Sequence, residues 1–161
     1  MSDVIVWHDV ENGGYDADLA IWRELAQEAH GPVLDLGAGT GRVALDLAQA
    51  GHDVTALDSD ATLLDELARR ASERGLHIEC VRADARRLDQ TGPFGLVIAP
   101  MQFVQILGGP SARAGLLARA AGCLHPGGIF AAAISNLDEA VAAEDAAPPL
   151  PDVGERGGWI Y

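Results

Sequence analysis

The chain contains no lysine, and all eleven of its basic residues are arginine. Schiff-base chemistry and catalysis by a lysine amine are therefore outside its reach. Positive charge is scarce overall, since 24 acidic residues leave a formal net charge of −13. Such a surface repels phosphate backbones and anionic lipid, which argues against nucleic acid and membranes as partners and for a small molecule. Long apolar runs are missing too: nothing reaches the ~18 continuous apolar residues of a membrane span. The opening Met-Ser-Asp-Val-Ile-Val-Trp-His lacks the basic segment and apolar run of a secretory leader, so a cytoplasmic protein is expected. Cysteine is limited to Cys80 and Cys123, both in apolar stretches with no CxxC. Buried thiols are expected there, with neither a disulfide nor a metal site.

What is present suffices for one domain. A chain of 161 residues that is 48% hydrophobic can bury a sizeable core. Apolar residues at Leu19, Trp22, Leu25, Ala26 and Ala29 share one helical face, so a helix is expected over 15–29, stopped by Gly31-Pro32. Strands are expected over 32–37, 53–58, 76–82, 94–99 and 129–134, the last entered through a Pro126-Gly127-Gly128 turn. Between them fall helices over 41–50, then from an Asp60 cap to Arg74 with Gly75 as the stop, then over 101–107, and finally from a Ser111 cap to Leu124. Strands alternating with helices predict an α/β fold, a doubly wound and mostly parallel sheet with helices on both faces. Beyond it come an acidic, alanine-rich stretch at 137–147, a stiff Pro148-Pro149-Leu150-Pro151 and a strand-like beginning at 157–161.

The most informative segment is Val33-Leu-Asp-Leu-Gly-Ala-Gly-Thr-Gly-Arg42, a buried strand with an acid near its end that runs into three glycines at alternate positions. Such glycines let a strand turn tightly into a helix and leave room for a ligand against bare main chain. The lysine and hydroxyl of a phosphate-cradling P-loop are absent. A dinucleotide fingerprint starting at Gly37 would need glycine where Arg42 stands. Starting at Gly39 it gives a legitimate Gly39, Gly41, Ala44, with Asp58 at the distance of a ribose-binding acid. From the loop alone, an NAD(P)- or flavin-binding oxidoreductase stays open.

Asp35-Leu-Gly-Ala-Gly-Thr-Gly41 resembles the first motif of the class I S-adenosylmethionine-dependent methyltransferases, and the likeness continues in order over residues 31–135. Asp58 stands at the end of the second strand, where the family holds the ribose hydroxyls. Arg82-Ala-Asp84-Ala85 stands after the third, where an Asp and the next amide bind adenine. Leu124-His-Pro-Gly-Gly128 is similar to the turn before the family's fifth strand. The resemblance implies S-adenosyl-L-methionine as cofactor and methyl transfer to an unidentified small acceptor. It places Asp35, Gly37, Ala38, Gly39, Gly41, Asp58, Ser59, Asp84, Ala85, Pro100 and Met101 at the cofactor. The chemistry agrees: this cofactor has no phosphate, its ammonium suits Asp35, and its two ribose hydroxyls and adenine amine are donors that Asp58 and Asp84 can accept. Asp35 has a second explanation, as a buried acid satisfied by the amides of the glycine turn.

The acceptor side is thin. Residues 99–105 hold no Asp, Glu, His, Lys or Tyr; Gln102 and Gln105 can position but not titrate, and Phe103 and Val104 read as core. No catalytic residue is assigned. Gly95 stands where the family often has Asp. Trp7, His8 and Tyr15 lie in a segment that in related enzymes folds over the methionyl end, although an exposed His8 is the simpler expectation, and Trp22 is expected to pack its helix onto the sheet. The domain divides into an N-terminal helical cap (1–30), a cofactor-binding core (31–135) and an incomplete C-terminal segment (136–161). The family's sheet order, 3-2-1-4-5-7-6, implies a chain truncated after its fifth strand. That strand would be an apolar edge open to self-association, and a cofactor-binding fragment without activity is a further alternative.

Overall fold

The computed structural model describes residues 2–89 and 92–135, together with the backbone of 155–156 and 159–160. Its centre is a five-stranded sheet of β1 (Val33–Leu36), β2 (Val54–Asp58), β3 (Glu79–Arg82), β4 (Phe94–Ala99) and β5 (Leu124–Ala132), in the order β3-β2-β1-β4-β5. All four pairings are parallel. The chain order reverses between β1 and β4, and a crevice at such a switch point is where open α/β sheets receive ligands. Strands β1 and β4 are buried along their whole length, which explains their near-absence of charge.

Alternation along the strands divides the core in two. Val33, Val54, Ala56, Leu96 and Ile98 meet Trp22, Ala26, Val43, Ala44, Leu47 and Leu67 from α2 (Leu19–Glu28), α3 (Arg42–Gln49) and α4 (Ala61–Glu73). Leu34, Leu36, Leu57, Val97 and Ala99 meet Val104, Leu116, Ala120 and Cys123 from α5 (Phe103–Ile106) and α6 (Pro110–Cys123). Helices thus cover both faces, as expected. Trp22 is buried and its indole N–H donates to Asp18 Oδ2 at 2.8 Å, so the packing role expected for it holds. Asp60 caps α4 by accepting the Thr62 amide at 2.8 Å, and Gly75, at φ +66°, ends the connection from it.

Several boundaries differ from expectation. A helix not anticipated, α1 (Asp3–Asn12), precedes α2, which starts only at Leu19. Only Ile5 and Asp9 of α1 are buried, and a face made of one apolar residue and one acid leaves no apolar stripe to read. Gly109, not Ser111, is the N-cap of α6, because Pro110 takes the first helical turn. The Pro126-Gly127-Gly128 turn lies inside β5: Phe94 pairs with Leu124 and Leu96 with Ile129, so residues 125–128 are accommodated as a bulge. β5 also ends at Ala132, short of 134. Gly95 has a structural reason, since a Cβ there would lie 2.7 Å from the Ala29 carbonyl oxygen and 2.9 Å from the Gly31 amide nitrogen. The turn into β1 crosses β4 backbone on backbone.

A short antiparallel ribbon, β6 (Glu155–Arg156) with β7 (Trp159–Ile160), forms a separate sheet. The expected strand at 157–161 is thus met in part by β7. The alanine-rich stretch at 137–147 and the proline breaker lie outside the described residues.

Candidate functional site: a cleft over the glycine loop

Three neighbouring strands deliver one acid each to the same edge of the sheet. Asp35 lies in β1, Asp58 ends β2, and Asp84 follows β3. The glycine loop between β1 and α3 runs beneath them, with Gly37, Gly39 and Gly41 at φ of +73°, +55° and +94°. Left-handed backbone at all three accounts for their spacing without reference to any ligand. Gly41 is in addition the N-cap of α3, where a Cβ would lie 2.7 Å from Leu67.

Asp58 is built into this loop. Its Oδ2 accepts the Gly39 amide and its Oδ1 the Asp60 amide, each at 2.9 Å. Each carboxylate oxygen keeps further acceptor capacity. Asp58 and Ser59 line a cleft of about 300 Å³ with Gly37, Asp84, Ala85 and Phe103. Asp84 is less free than its sequence position implied. It accepts the Arg86 amide at 2.9 Å and grips the Arg86 guanidinium through both oxygens, which holds its carboxyl down at about 2. Phe103, expected in the core, packs against it but also stands over Gly37, where a Cβ would strike its ring. With Ile106 and Leu107 it forms the apolar wall of the cleft. Val104 is core, as expected.

Asp35 is 1% exposed, and its Oδ1 has no hydrogen-bond partner among the described residues. The Ala44 amide hydrogen-bonds the carboxyl, but with Oδ1 left over the amides that follow the glycine turn satisfy Asp35 only in part. Desolvation dominates and pushes its carboxyl up to about 7; the Arg42 charge and the Ala44 amide oppose that rise, and the Asp58 charge adds to it. Asp35 borders a small cavity of about 50 Å³ that it shares with His8, Asn12, Gly37, Ala38, Pro100 and Met101. Gly37 lines both cavities, so together they make one track from Asp84 to Asp35.

Of the eleven residues expected at the cofactor, nine border this track: Asp35, Gly37, Ala38, Asp58, Ser59, Asp84, Ala85, Pro100 and Met101. The other two, Gly39 and Gly41, shape the loop from beneath. Met101 and Gln102 hold φ of +51° and +56°, a conformation that costs non-glycine residues on the order of 1–3 kcal/mol each. They also border a third cleft, of about 410 Å³, with Tyr15, Asp18, Ile134 and Ser135. Gln105 has a structural task, donating to the Ser135 carbonyl at 3.0 Å and accepting the Ser135 amide at 2.7 Å.

Helix α1 contributes what sequence reasoning underrated. His8 is half-buried over the glycine loop, not exposed, and a Cβ on Gly39 would collide with its ring. Trp7, by contrast, is 64% exposed. Tyr15 sits with the Arg42 guanidinium 5.4 Å from its ring centroid, and that guanidinium pairs with Asp18. Among the described residues no cluster of His, Cys, Asp and Glu could hold a metal ion and no helix is long and apolar enough to cross a membrane. Cys123 is buried, as expected, whereas Cys80 is only half-buried, because it sits on the edge strand β3.

Residues 33–128 match the family of methyltransferase domains, and the chain belongs to it. It is 33% identical over 113 residues to the ubiquinone biosynthesis O-methyltransferase of Caulobacter vibrioides, covering 68% of this chain and 43% of that protein. It is 31% identical over 138 residues to a cypemycin N-terminal methyltransferase from Streptomyces, covering 80% and 56%. Among solved structures, the glycopeptide N-methyltransferase MtfA in complex with S-adenosyl-L-methionine superposes with a TM-score of 0.65 at 30% identity, over 92% of this chain and 65% of that one. The chain thus spans 33% to 56% of the length of the curated relatives it matches. Family membership decides between the two ligands that the glycine loop left open: it favours the methyltransferase over the dinucleotide oxidoreductase.

Proposed function

We propose that this chain binds S-adenosyl-L-methionine along the track over Gly37 and belongs to an enzyme that transfers its methyl group to a small-molecule acceptor. The observation that carries the proposal is the alignment of three carboxylates on adjacent strand ends along one groove that crosses bare glycine backbone. Each acid has a donor to meet. Asp58, held by two amides, presents its remaining lone pairs to a pair of ribose hydroxyls. Asp84 and the Ala85 amide answer the amine and a ring nitrogen of adenine, whose flat face suits Phe103. Asp35 has an oxygen without a partner, which an ammonium would fill. The cofactor, when bound, supplies an electrophilic sulfonium methyl. The residues of this chain bind it, orient it and shield it, and alignment in the third cleft supplies much of the rate without a strong base.

The acceptor belongs in the cleft of Tyr15, Met101, Gln102 and Ile134, and its reacting atom is not specified by these side chains. The division into residues 1–30, 31–135 and 136–161 and a cytoplasmic setting are part of the proposal, and avoidance of nucleic acid is supported by the net charge of −13. Self-association through the outer edge of β5 is supported by its place at the end of the sheet and by Ile134, 71% exposed. Calorimetric titration with S-adenosylhomocysteine tests the central claim. Saturable 1:1 binding is expected; binding of NADH with no response to S-adenosylhomocysteine would overturn it.

A further inference from the structure

The sheet stops one rung short of the third cleft, and a side chain takes over from it. The last ladder bond between β4 and β5 runs from the Ala133 amide to the Ala99 carbonyl at 3.0 Å. Bonds from one strand of a parallel pair recur at every second residue, so the next amide to be met is that of Ser135 and the next carbonyl due is that of Met101. That continuation is blocked. Pro100 has no N–H and turns its carbonyl to the Phe103 amide at 3.1 Å, and Met101 and Gln102 then lead the chain away in left-handed backbone, at φ of +51° and +56°.

Gln105 supplies the missing rung from the far side of that turn. Its Oε1 accepts the Ser135 amide at 2.7 Å and its Nε2 donates to the Ser135 carbonyl at 3.0 Å. One carboxamide thus meets both backbone groups of one residue, as a facing strand would. Length and chemistry both specify glutamine here: asparagine is one methylene shorter, an ionised glutamate has no proton to donate, and leucine has neither group.

The segment that Gln105 holds is a wall. Ala133, Ile134 and Ser135 border the third cleft together with Tyr15, Met101 and Gln102. The same four-residue helix α5 that carries Gln105 places Phe103 and Ile106 in the cleft of Asp58 and Asp84, and its first turn closes on the Gln102 carbonyl, which accepts the Gln105 amide at 2.7 Å. One short element therefore meets both clefts. Resting on the reading of the two clefts given above, we propose that Gln105 is a positioning residue for the methyl acceptor. It fixes Ile134 and Ser135 to α5, so that the acceptor wall is set by the helix that also walls the cofactor cleft. A cofactor lying against Phe103 steadies α5, and Gln105 passes that restraint to Ser135.

Amide exchange followed by nuclear magnetic resonance on the full chain reads Ser135 directly. In wild type, saturating S-adenosylhomocysteine should slow exchange of the Ser135 amide by about tenfold or more, because opening the rung then works against ligand binding. In Gln105→Leu that amide should exchange fast with or without ligand, while calorimetric affinity for S-adenosylhomocysteine stays within about twofold of wild type. Gln105→Glu keeps an acceptor for the Ser135 amide but loses the donor, so its ligand-induced slowing should fall between the two, and it carries the test if the leucine variant does not fold. A purely structural role would lower protection in the free protein and leave the ligand's increment unchanged. Equal slowing by ligand in wild type and variants would therefore overturn the proposal, as would a wild type that binds S-adenosylhomocysteine with no slowing at Ser135. Failure of wild type to bind S-adenosylhomocysteine would instead overturn the cofactor assignment, and the role of Gln105 with it.

Discussion

Asp35 should leave a signature in stability opposite in sign to that of the paired carboxyls Glu66 and Asp84. Its carboxyl is raised from 3.8 to about 7 by burial. Between those values the native state holds a proton that the unfolded state has released, so its contribution is fully present below 3.8 and is lost as the pH climbs to about 7. At about 1.4 kcal/mol per pH unit, the loss is on the order of 4 kcal/mol. Glu66 and Asp84 act with the opposite sign in a lower window. Arg69 beside Glu66 and Arg86 beside Asp84 hold those carboxyls at about 2, so their contribution is present above the ordinary carboxylate range and fades as the pH falls towards 2. Urea unfolding of wild type and Asp35→Asn at half-unit steps from pH 4 to 8 isolates the effect, because the difference between the two curves cancels every other titration, the histidines included. The asparagine amide pays for its own burial by about 1–3 kcal/mol, but that offset is independent of pH. Wild type should lose stability relative to Asp35→Asn as the pH rises, flattening above about 7. Parallel curves across the whole range would refute the buried carboxyl with its one unsatisfied oxygen.

Three further outcomes follow from the same geometry. Asp58→Ala removes the acceptor for the Gly39 and Asp60 amides as well as the proposed ribose contact, and should weaken S-adenosylhomocysteine by on the order of 1.5–3 kcal/mol; a folded variant that binds like wild type in calorimetry would end the assignment. Gly39→Val sets a β-branched residue at φ +55° and drives its Cβ into His8, so ligand binding should vanish while the far-ultraviolet circular dichroism of the sheet persists; retained binding would show that the loop is not the site. Gly95→Ala forces a Cβ onto the Ala29 carbonyl and the Gly31 amide, both of them backbone that cannot rotate away, and should destabilise by about 1–3 kcal/mol in thermal or urea melts without touching the cleft; an unchanged melting temperature would refute the close crossing.

The parallel core was legible because each of its signals is local. β1 and β4 are short uncharged or nearly uncharged runs, the glycines follow β1 at once, and Asp60 and Gly75 bracket α4 with a cap and a stop that depend on a few neighbouring residues. The errors fall where distant backbone decides. Gly95 reads as a departure from a family pattern, yet the residue is glycine because the 29–31 turn passes over it. Ser111 has the chemistry of a cap, but Pro110 supplies a first-turn residue with fixed φ, and the helix begins one position earlier than a serine cap would allow. The bulge at 125–128 likewise exists only because β4 and β5 must pair on both sides of it.

The site divides along the same line. Asp35, Asp58 and Asp84 could be found because each stands at or within two residues of a strand's C-terminal end, and parallel strands bring those ends together whatever the helices do. His8 could not be judged from its neighbours: Val4, Ile5, Val6 and Trp7 suggest a strand as readily as a helix, and the face that α1 buries is made by Ile5 and an acid, Asp9. Placement of His8 depends on Arg70, 61 residues from Asp9, reaching back across α4 to hold that acid beneath Thr40. A buried arginine–aspartate pair costs much to desolvate and returns little net stability, so its value lies in what it orients. Here it ties α1 to α4 beside the glycine loop, so the N-terminal helix, through His8 and Asn12, forms one wall of the pocket.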